Sequence, residues 1–409
     1  MEYPKLRPIE AFPVEIEKSK RVFIRDPLNY AKDPLILSYQ TYFIISHFDG
    51  THSLLDIQEA FARQFGQILF SDQLRDLIAQ LDEHYYLDSE RFARLYQETV
   101  DAFRLSPVRE MAHADTCYAS QPELFTEQLT GFFTGAGGPG LPHVGDRKHP
   151  PVRGIIAPHI DLRVGGPCYA WAYKELAEHC DADLFLLLGT SHYGMGHLFV
   201  TTSKDYNTPL GPVKTDREFI AALQRAYDGD LFADELLHRT EHSLEFQTLF
   251  LQYLFGGKRE FTVVPILVSS FHAMILSQTP PARDPRVASF LRALKETVAQ
   301  DGRTVCLVAG VDFAHVGQKF GDPGPLTQEF LEWVAEDRKL IDALEQIDPE
   351  AFFAHIAKEG DRRRICGFSP MYTFLHLVEA AEGKLLQYDR SLDPATQSSV
   401  SFASLAFYG

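Results

Sequence analysis

Three apolar runs in this sequence end on a histidine. Ile155-Ile156-Ala157 leads to Pro158-His159, LFLLLG leads to Thr190-Ser191-His192, and VCLVAG leads to Val311-Asp312-Phe313-Ala314-His315. Imidazole nitrogen binds transition metals and titrates near neutrality, so the pattern points to metal coordination or proton transfer. A lone histidine is ordinarily a surface or satisfied core residue, and three equivalent junctions form a stronger signal. In open α/β sheets ligands bind beyond the carboxyl ends of the strands. The three junctions are therefore expected to converge on one edge of a sheet.

Two further residues join this set. His242, in TEHSLEFQ, stands at a predicted helix start for which Thr240 is the candidate cap. Cys366 lies in RRRICGFSP, where Arg362, Arg363 and Arg364 are expected to favour its thiolate, the form that binds metal. Its plain alternative is a buried structural cysteine. The remaining cysteines, Cys117, Cys168, Cys180 and Cys306, fall on a predicted helix, turn or apolar strand and have no such setting.

The elements that must position these residues begin at 152. Apolar runs RGIIAPH, DLFLLLGTSH, FTVVPILVSS and TVCLVAGVDFAH alternate with the amphipathic stretches YAWAYKELAEH, REFIAALQRAYD and VASFLRALKETVAQ. Fully apolar strands separated by helices predict a buried, largely parallel sheet with helices on both faces. Upstream, VREMAHADTCYASQPELFTEQLTGFF opens this second unit at 108, and GAGGPGLPHVGDRKHPP reads as a surface loop.

Residues 1–95 read as a separate small domain and 96–107 as a linker to a domain over 108–409. Ser53 is positioned to cap a helix with Ile57, Phe61 and Phe65 on one face. A second helix is expected after Ser71, with Leu74, Leu77, Ile78, Leu81 and Tyr85 at helical spacing. Short strands with two or three such helices predict a winged-helix-like α+β module. VFIRD, Val22–Asp26, is the expected exposed edge strand, ended by Pro27.

Composition limits the partners. The chain of 409 residues is 45% hydrophobic and 23% charged, with a formal net charge of −17 and pI near 5.4. Such acidity disfavours phosphate backbones and anionic membrane surfaces. Residues 1–95 carry 15 acidic against 11 basic side chains, so the small domain is also a poor match for DNA. Five widely spaced cysteines without a CxxC do not resemble a disulfide framework, and MEYPKLRPIEAF lacks the apolar run of a signal peptide. A cytoplasmic protein without nucleic-acid or membrane partners is expected.

FDGTHSLLDIQEAF and LDEHYYLDSERF resemble the PqqD-like peptide-recognition domains over about residues 10–95. VREMAHADTCYASQPELFTEQLTGFF, GIIAPHIDL, LLLGTSHYG, TEHSLEFQ, VVPILV, GVDFAH, ICGFSP and SSVSFAS, in this order, resemble the MEMO family, called AmmeMemoRadiSam system protein B in bacteria and archaea. That resemblance spans about residues 106–409. It implies an α/β fold of the LigB-type class III extradiol dioxygenases, which hold non-haem Fe(II) with two histidines and a carboxylate. It assigns a two-histidine, one-cysteine metal set to His159, His192 and Cys366, and pocket-wall or catalytic roles to His242, Asp312 and His315. This sequence departs from the common pattern at Ile160-Asp161-Leu162, where Ala-Gly-Tyr is familiar, and at Tyr193, where a second histidine often stands.

The resemblance implies a metal-dependent oxidoreductase using Fe(II) or copper, with other divalent metals as alternatives. A thiolate in place of a carboxylate shifts metal preference and puts ring cleavage in question. His242 or His315 would donate or accept protons, and Asp312 would orient one of them. The prokaryotic family name implies work alongside a radical SAM protein and an AMMECR-type protein. A second reading is a metal-binding or peptide-binding partner protein without turnover, taking a peptide or small molecule. A third is a hydrolase or transferase with Cys366 as nucleophile.

Overall fold

The computed structural model describes residues 1–409 except 17–18, 32, 144–149, 195, 324–326, 329–331 and 333–335. The chain divides into two compact units, Met1–Leu105 and Ser106–Gly409. Residues 144–149 of the expected Gly/Pro-rich loop lie outside the described residues.

In the first unit, β1 (Glu10–Ile16), β2 (Ser19–Arg25) and β3 (Leu35–Ser38) form an antiparallel sheet in that order. Four helices follow: α1 (Tyr39–Ile45), α2 (Leu54–Phe65), α3 (Ser71–Glu83) and α4 (Glu90–Leu105). Ser53 caps α2 through a reciprocal pair with Asp56, and Leu54, Ile57 and Phe61 are buried. Helix α3 buries Leu74, Ile78 and Leu81. Tyr85 does not extend that stripe, because the helix ends at Glu83 and Tyr85 turns to φ 62°.

Two expectations are corrected here. Val22–Asp26 is not an edge: β2 pairs with β1 on one side and β3 on the other. Its alternate residues Val22 and Ile24 face the core, which draws this strand to the centre. Residues 96–105 are not a linker. They continue α4 to Leu105, because no Gly or Pro interrupts ERFARLYQETVDAFRL.

The second unit runs β4 (Val108–Arg109), α5 (Pro122–Thr134), β5 (Val152–Ala157), α6 (Leu162–His179), β6 (Leu184–Thr190), β7 (Phe199–Thr201), β8 (Asp205–Tyr206), α7 (Arg217–Ala226) and α8 (His242–Phe255). It continues through β9 (Thr262–Val268), α9 (His272–Leu276), α10 (Pro285–Asp301), β10 (Val305–Gly310), β11 (His315–Gly317), α11 (Asp337–Glu345), α12 (Pro349–Glu359), α13 (Phe368–Leu377), β12 (Glu382–Asp393) and β13 (Ser398–Tyr408). Among the described residues, eight strands make one sheet in the order β11-β13-β5-β10-β6-β9-β7, with β12 paired to β13. The four central strands, β5, β10, β6 and β9, are mutually parallel. The flanks are antiparallel: β13 on β5 and β7 on β9.

The strands are apolar throughout because both faces are covered. Leu184, Leu186 and Leu188 point into a core with Phe290, Leu294 and Phe374. Phe185 and Leu187 point into the opposite core with Tyr169, Leu176 and Phe250. Register then sets the site: Gly310 at the end of β10 pairs with Ala157 of β5 and with Gly189 of β6. The three strands therefore end level. A Cβ at Gly189 would lie 2.6 Å from Ser243 Oγ, and one at Gly310 would lie 2.4 Å from the Ser243 carbonyl oxygen. Glycine at both strand ends is what lets the first turn of α8 rest on the sheet edge. No helix among the described residues is long and apolar enough to cross a membrane.

Candidate metal centre

Level strand ends bring the predicted histidines together. His159 follows β5 and His192 follows β6, while His242 opens α8. One ring nitrogen from each of these three lies within 4.8 Å of the others. Ring centroids are 4.9 Å apart for His159 and His192, 5.2 Å for His159 and His242, and 4.8 Å for His192 and His242.

The rings are fixed by backbone and carboxylate acceptors. His159 is 2% exposed, and its Nδ1 lies 3.0 Å from the carbonyl oxygen of Gly310. A carbonyl only accepts, so Nδ1 carries the hydrogen and Nε2 keeps the lone pair. Burial, then the neighbouring His192, holds this imidazole well below its usual pKa, so it is neutral and a competent ligand. Asp312 Oδ1 accepts the backbone N–H groups of His159 (3.0 Å) and Ile160 (3.2 Å), pinning the turn after β5. Gln247 of α8 donates to the Pro158 carbonyl at 2.9 Å and ties the same turn to the helix.

Cys366 arrives just before α13. Its Sγ lies 3.2 Å from His159 Nε2 and 3.7 Å from the carbonyl oxygen of Asp312. The expected role of the upstream arginines is corrected. Arg363 is engaged with Asp337 and Glu359, and Arg364 with Asp322. Burial, then the Asp312 charge, pushes the Cys366 thiol well above its ordinary pKa, so the fold does not favour a free thiolate. A cation at the sulfur would supply the missing compensation.

Asp312 and His315 complete the group. Burial raises the Asp312 carboxyl to about 6, against the opposing field of His315 and the two backbone bonds. Its Oδ2 lies 3.6 Å from His159 Nε2. His315 donates from Nδ1 to the Phe313 carbonyl at 3.0 Å, which leaves Nε2 as its acceptor, and its ring packs edge-on against Phe320. Asp312 and His192 both act electrostatically on His315.

The residue that sequence reasoning missed is Glu241. It, and not Thr240, caps α8, accepting from the Ser243 N–H at 3.1 Å. Its carboxylate lies 3.0 Å and 3.1 Å from His192 Nδ1 and accepts the His192 backbone N–H at 3.0 Å. Burial alone would raise its pKa. The charge and hydrogen bonds of His192, then His242, hold it well below the carboxylate norm. The available signal was a second acid beside His242 in TEHSLEFQ; the partner 49 residues away gave none.

Behind α8, Arg109 and Glu245 form an ion pair with no exposed side-chain surface. Tyr118 donates to the same carboxylate, and the backbone of His113 does so at 3.1 Å. Beside the histidines, Thr190, Ser191, His192, His272, Asp361 and Cys366 line part of a hollow of about 230 Å³. It has room for a small molecule in contact with His192 and Cys366.

The family described as Memo-like protein matches residues 109–406. A MEMO1 family protein of Aquifex aeolicus is 33% identical over 389 residues, covering 94% of this chain and 95% of the relative. The MEMO1 family protein MK0963 of Methanopyrus kandleri is 31% identical over 309 residues, 73% of this chain and 98% of its own length. One of Aeropyrum pernix is 33% identical over 266 residues, 64% and 85% respectively. The Escherichia coli K12 structure titled uncharacterized protein JW3007 aligns at a TM-score of 0.35 and 12% identity, over 63% of this chain and 99% of that one, which carries no argument. On the family match and the full-length identity to the Aquifex relative, the chain belongs to the Memo-like family.

Proposed function

We propose that the chain is a metal-dependent oxidoreductase related to the LigB-type extradiol dioxygenases, acting in the cytoplasm alongside a radical SAM protein and an AMMECR-type protein. Fe(II) or copper is the proposed metal, held by His159, His192 and Cys366. The observation that carries this is the approach of neutral imidazole and sulfur donors at the sheet edge, with Cys366 Sγ 3.2 Å from His159 Nε2.

The donor chemistry fits such a metal. His159 and His192 have Nδ1 occupied by an acceptor, which leaves the Nε2 lone pairs for coordination. His242 adds a third imidazole within 4.8 Å, so two donor sets share His159 and His192. Three nitrogens suit iron or copper, and the sulfur adds preference for softer ions. When bound, the metal supplies Lewis acidity and one-electron redox chemistry. The protein's own part is to hold the rings, to keep the turn at His159 rigid through Asp312, and to offer His315 Nε2 as a proton acceptor or donor near the rim. The adjoining hollow would seat the substrate.

A second reading is a metal- or peptide-binding partner without turnover. The separate compactness of Met1–Leu105 supports it, since a PqqD-like module presents sheet edges to an extended peptide. Here those edges are β1 and β3. Protein purified without oxygen should carry near-stoichiometric iron or copper by elemental analysis, and His159→Ala or His192→Ala should bring it to background. Unchanged metal in both variants removes the proposal. Metal without oxygen consumption across a substrate panel, together with capture of a peptide by the first unit, favours the second reading.

A further inference from the structure

We infer that Glu241 is the positioning residue that presets His192 and His242 together, holding a hydrogen on Nδ1 of each ring. One carboxylate meets four groups. It is bracketed by His192 Nδ1 at 3.0 Å and 3.1 Å, accepts the His192 N–H at 3.0 Å and the Ser243 N–H at 3.1 Å, and lies 3.3 Å from His242 Nδ1. The two rings stack at 4.8 Å with 18° between their planes, so both turn the same edge toward one acid. Glu241 is 4% exposed, and little water reaches it to take over its bonds.

The chemistry follows from what a carboxylate is. An ionised carboxylate only accepts, so any ring nitrogen facing it must carry hydrogen. Each imidazole then has its lone pair on Nε2. Either ring flipped by 180° would put Cδ2 in the place of Nδ1 and lose the contact, and the opposite tautomer would turn a bare nitrogen to the acid, where the two lone pairs would repel. Glu241 thus sets the tautomer and rotamer of two rings before any ligand arrives, which lowers the ordering cost of binding. Its carbonyl oxygen accepts from Arg109 at 3.0 Å, and Arg109 is itself locked to Glu245. The backbone that carries the acid is held from behind.

The tautomer part stands on hydrogen bonds for His192 and on the 3.3 Å approach of Nδ1 to the same carboxylate for His242; its consequence for metal affinity rests on the proposed metal centre. The test uses full-length protein with ¹⁵N-labelled histidine, stripped of metal. In the wild type, the imidazoles of His192 and His242 should both show protonated Nδ1 and bare Nε2. Assignment comes from loss of one signal set in His192→Ala and of the other in His242→Ala. Protonation at Nε2 in either ring of the wild type overturns the inference without any variant. Both rings approach the same oxygen, Oε1, which a glutamine amide could still supply, so the variant is Glu241→Ala, which removes both acceptor oxygens. At least one tautomer should change while far-ultraviolet circular dichroism stays that of the wild type. Unchanged tautomers in folded Glu241→Ala also overturn it. With Co(II) as probe, the same variant should bind tenfold to a hundredfold more weakly. Altered tautomers with no Co(II) binding in the wild type would keep the positioning role and remove the metal reading instead.

Discussion

The sulfur of Cys366 and Nε2 of His159 lie 3.2 Å apart although 207 residues separate them in the chain. A thiol that burial keeps protonated touches the His159 nitrogen that carries the lone pair, the other nitrogen being held by the Gly310 carbonyl. That contact is the strongest reason to test the pair as joint donors.

Cys366→Ser replaces a soft donor with a hard one of nearly the same shape. The variant should lose affinity for copper more than for magnesium or manganese. The copper form of the wild type should show a thiolate-to-metal charge-transfer band that the variant lacks. A band of normal intensity in Cys366→Ser would transfer the sulfur role to another cysteine.

His242 and His315 should behave differently, although both were expected on the sequence to line the open face. His242 belongs to the trio of close nitrogens, whereas His315 Nδ1 is committed to the Phe313 carbonyl. His242→Ala should weaken metal binding by more than about tenfold, in line with loss of an oriented donor. His315→Ala should retain metal and lose turnover or ligand binding. Equal metal content in both variants, read by elemental analysis after equilibrium dialysis, would return His242 to the pocket wall.

Glu245→Ala strands Arg109 in a place without solvent and releases Tyr118. Removing one partner of a buried ion pair typically costs about 3–5 kcal/mol. The urea midpoint of the second unit should fall accordingly. Because Arg109 also donates to the backbone of His238 and Glu241, the variant should lose metal affinity too. A midpoint within error of the wild type would show that the network contributes nothing net.

Asp216 offers a test of pH dependence away from the site. It caps α7 by accepting from the Phe219 N–H at 2.9 Å, and it also accepts from Thr262 at 2.9 Å and Arg303 at 2.8 Å. Burial opposes its charge, but the Phe219 bond, then Arg303 and Thr262, hold its pKa below the usual value of 3.8. A carboxyl whose folded pKa is depressed stabilises the fold above its unfolded pKa, and that contribution is lost as pH falls through the folded one. Asp216→Asn keeps a cap but loses the charge at the helix N-terminus, so it should be less stable than wild type at pH 7 by roughly 0.3–1 kcal/mol. The gap should close below roughly pH 4. A gap independent of pH would mean that the amide's lost geometry, and not the charge, is responsible.

Much of the fold was legible in local pattern. The four central strands follow the four apolar runs that precede or flank the proposed site, because strands buried on both faces must be apolar at every position. Helix α2 begins where Ser53 and Asp56 can exchange hydrogen bonds. The antiparallel hairpin β12–β13 was not foreseen beyond its SSVSFAS motif, since its outer strand is only half-buried and weakly patterned. The central place of β2 depended on which partners flank it, information that a seven-residue strand does not contain.

By itself, the sequence determined that histidines stand at the ends of apolar strands. A parallel sheet then compels those ends to meet, because parallel strands share one carboxyl edge. Tertiary structure decided the rest. Level register of β5, β10 and β6 brought the rings within contact. The folding of α8 onto Gly189 and Gly310 placed His242 among them and made Glu241 the acid that two rings share. The same packing spent Arg363 on Asp337 and Glu359 and Arg364 on Asp322, and so turned these two cations away from the role at Cys366 that their place in the sequence suggested. Charge pairing is decided by distance in space, because the attraction weakens as separation grows, and adjacency in sequence does not set it.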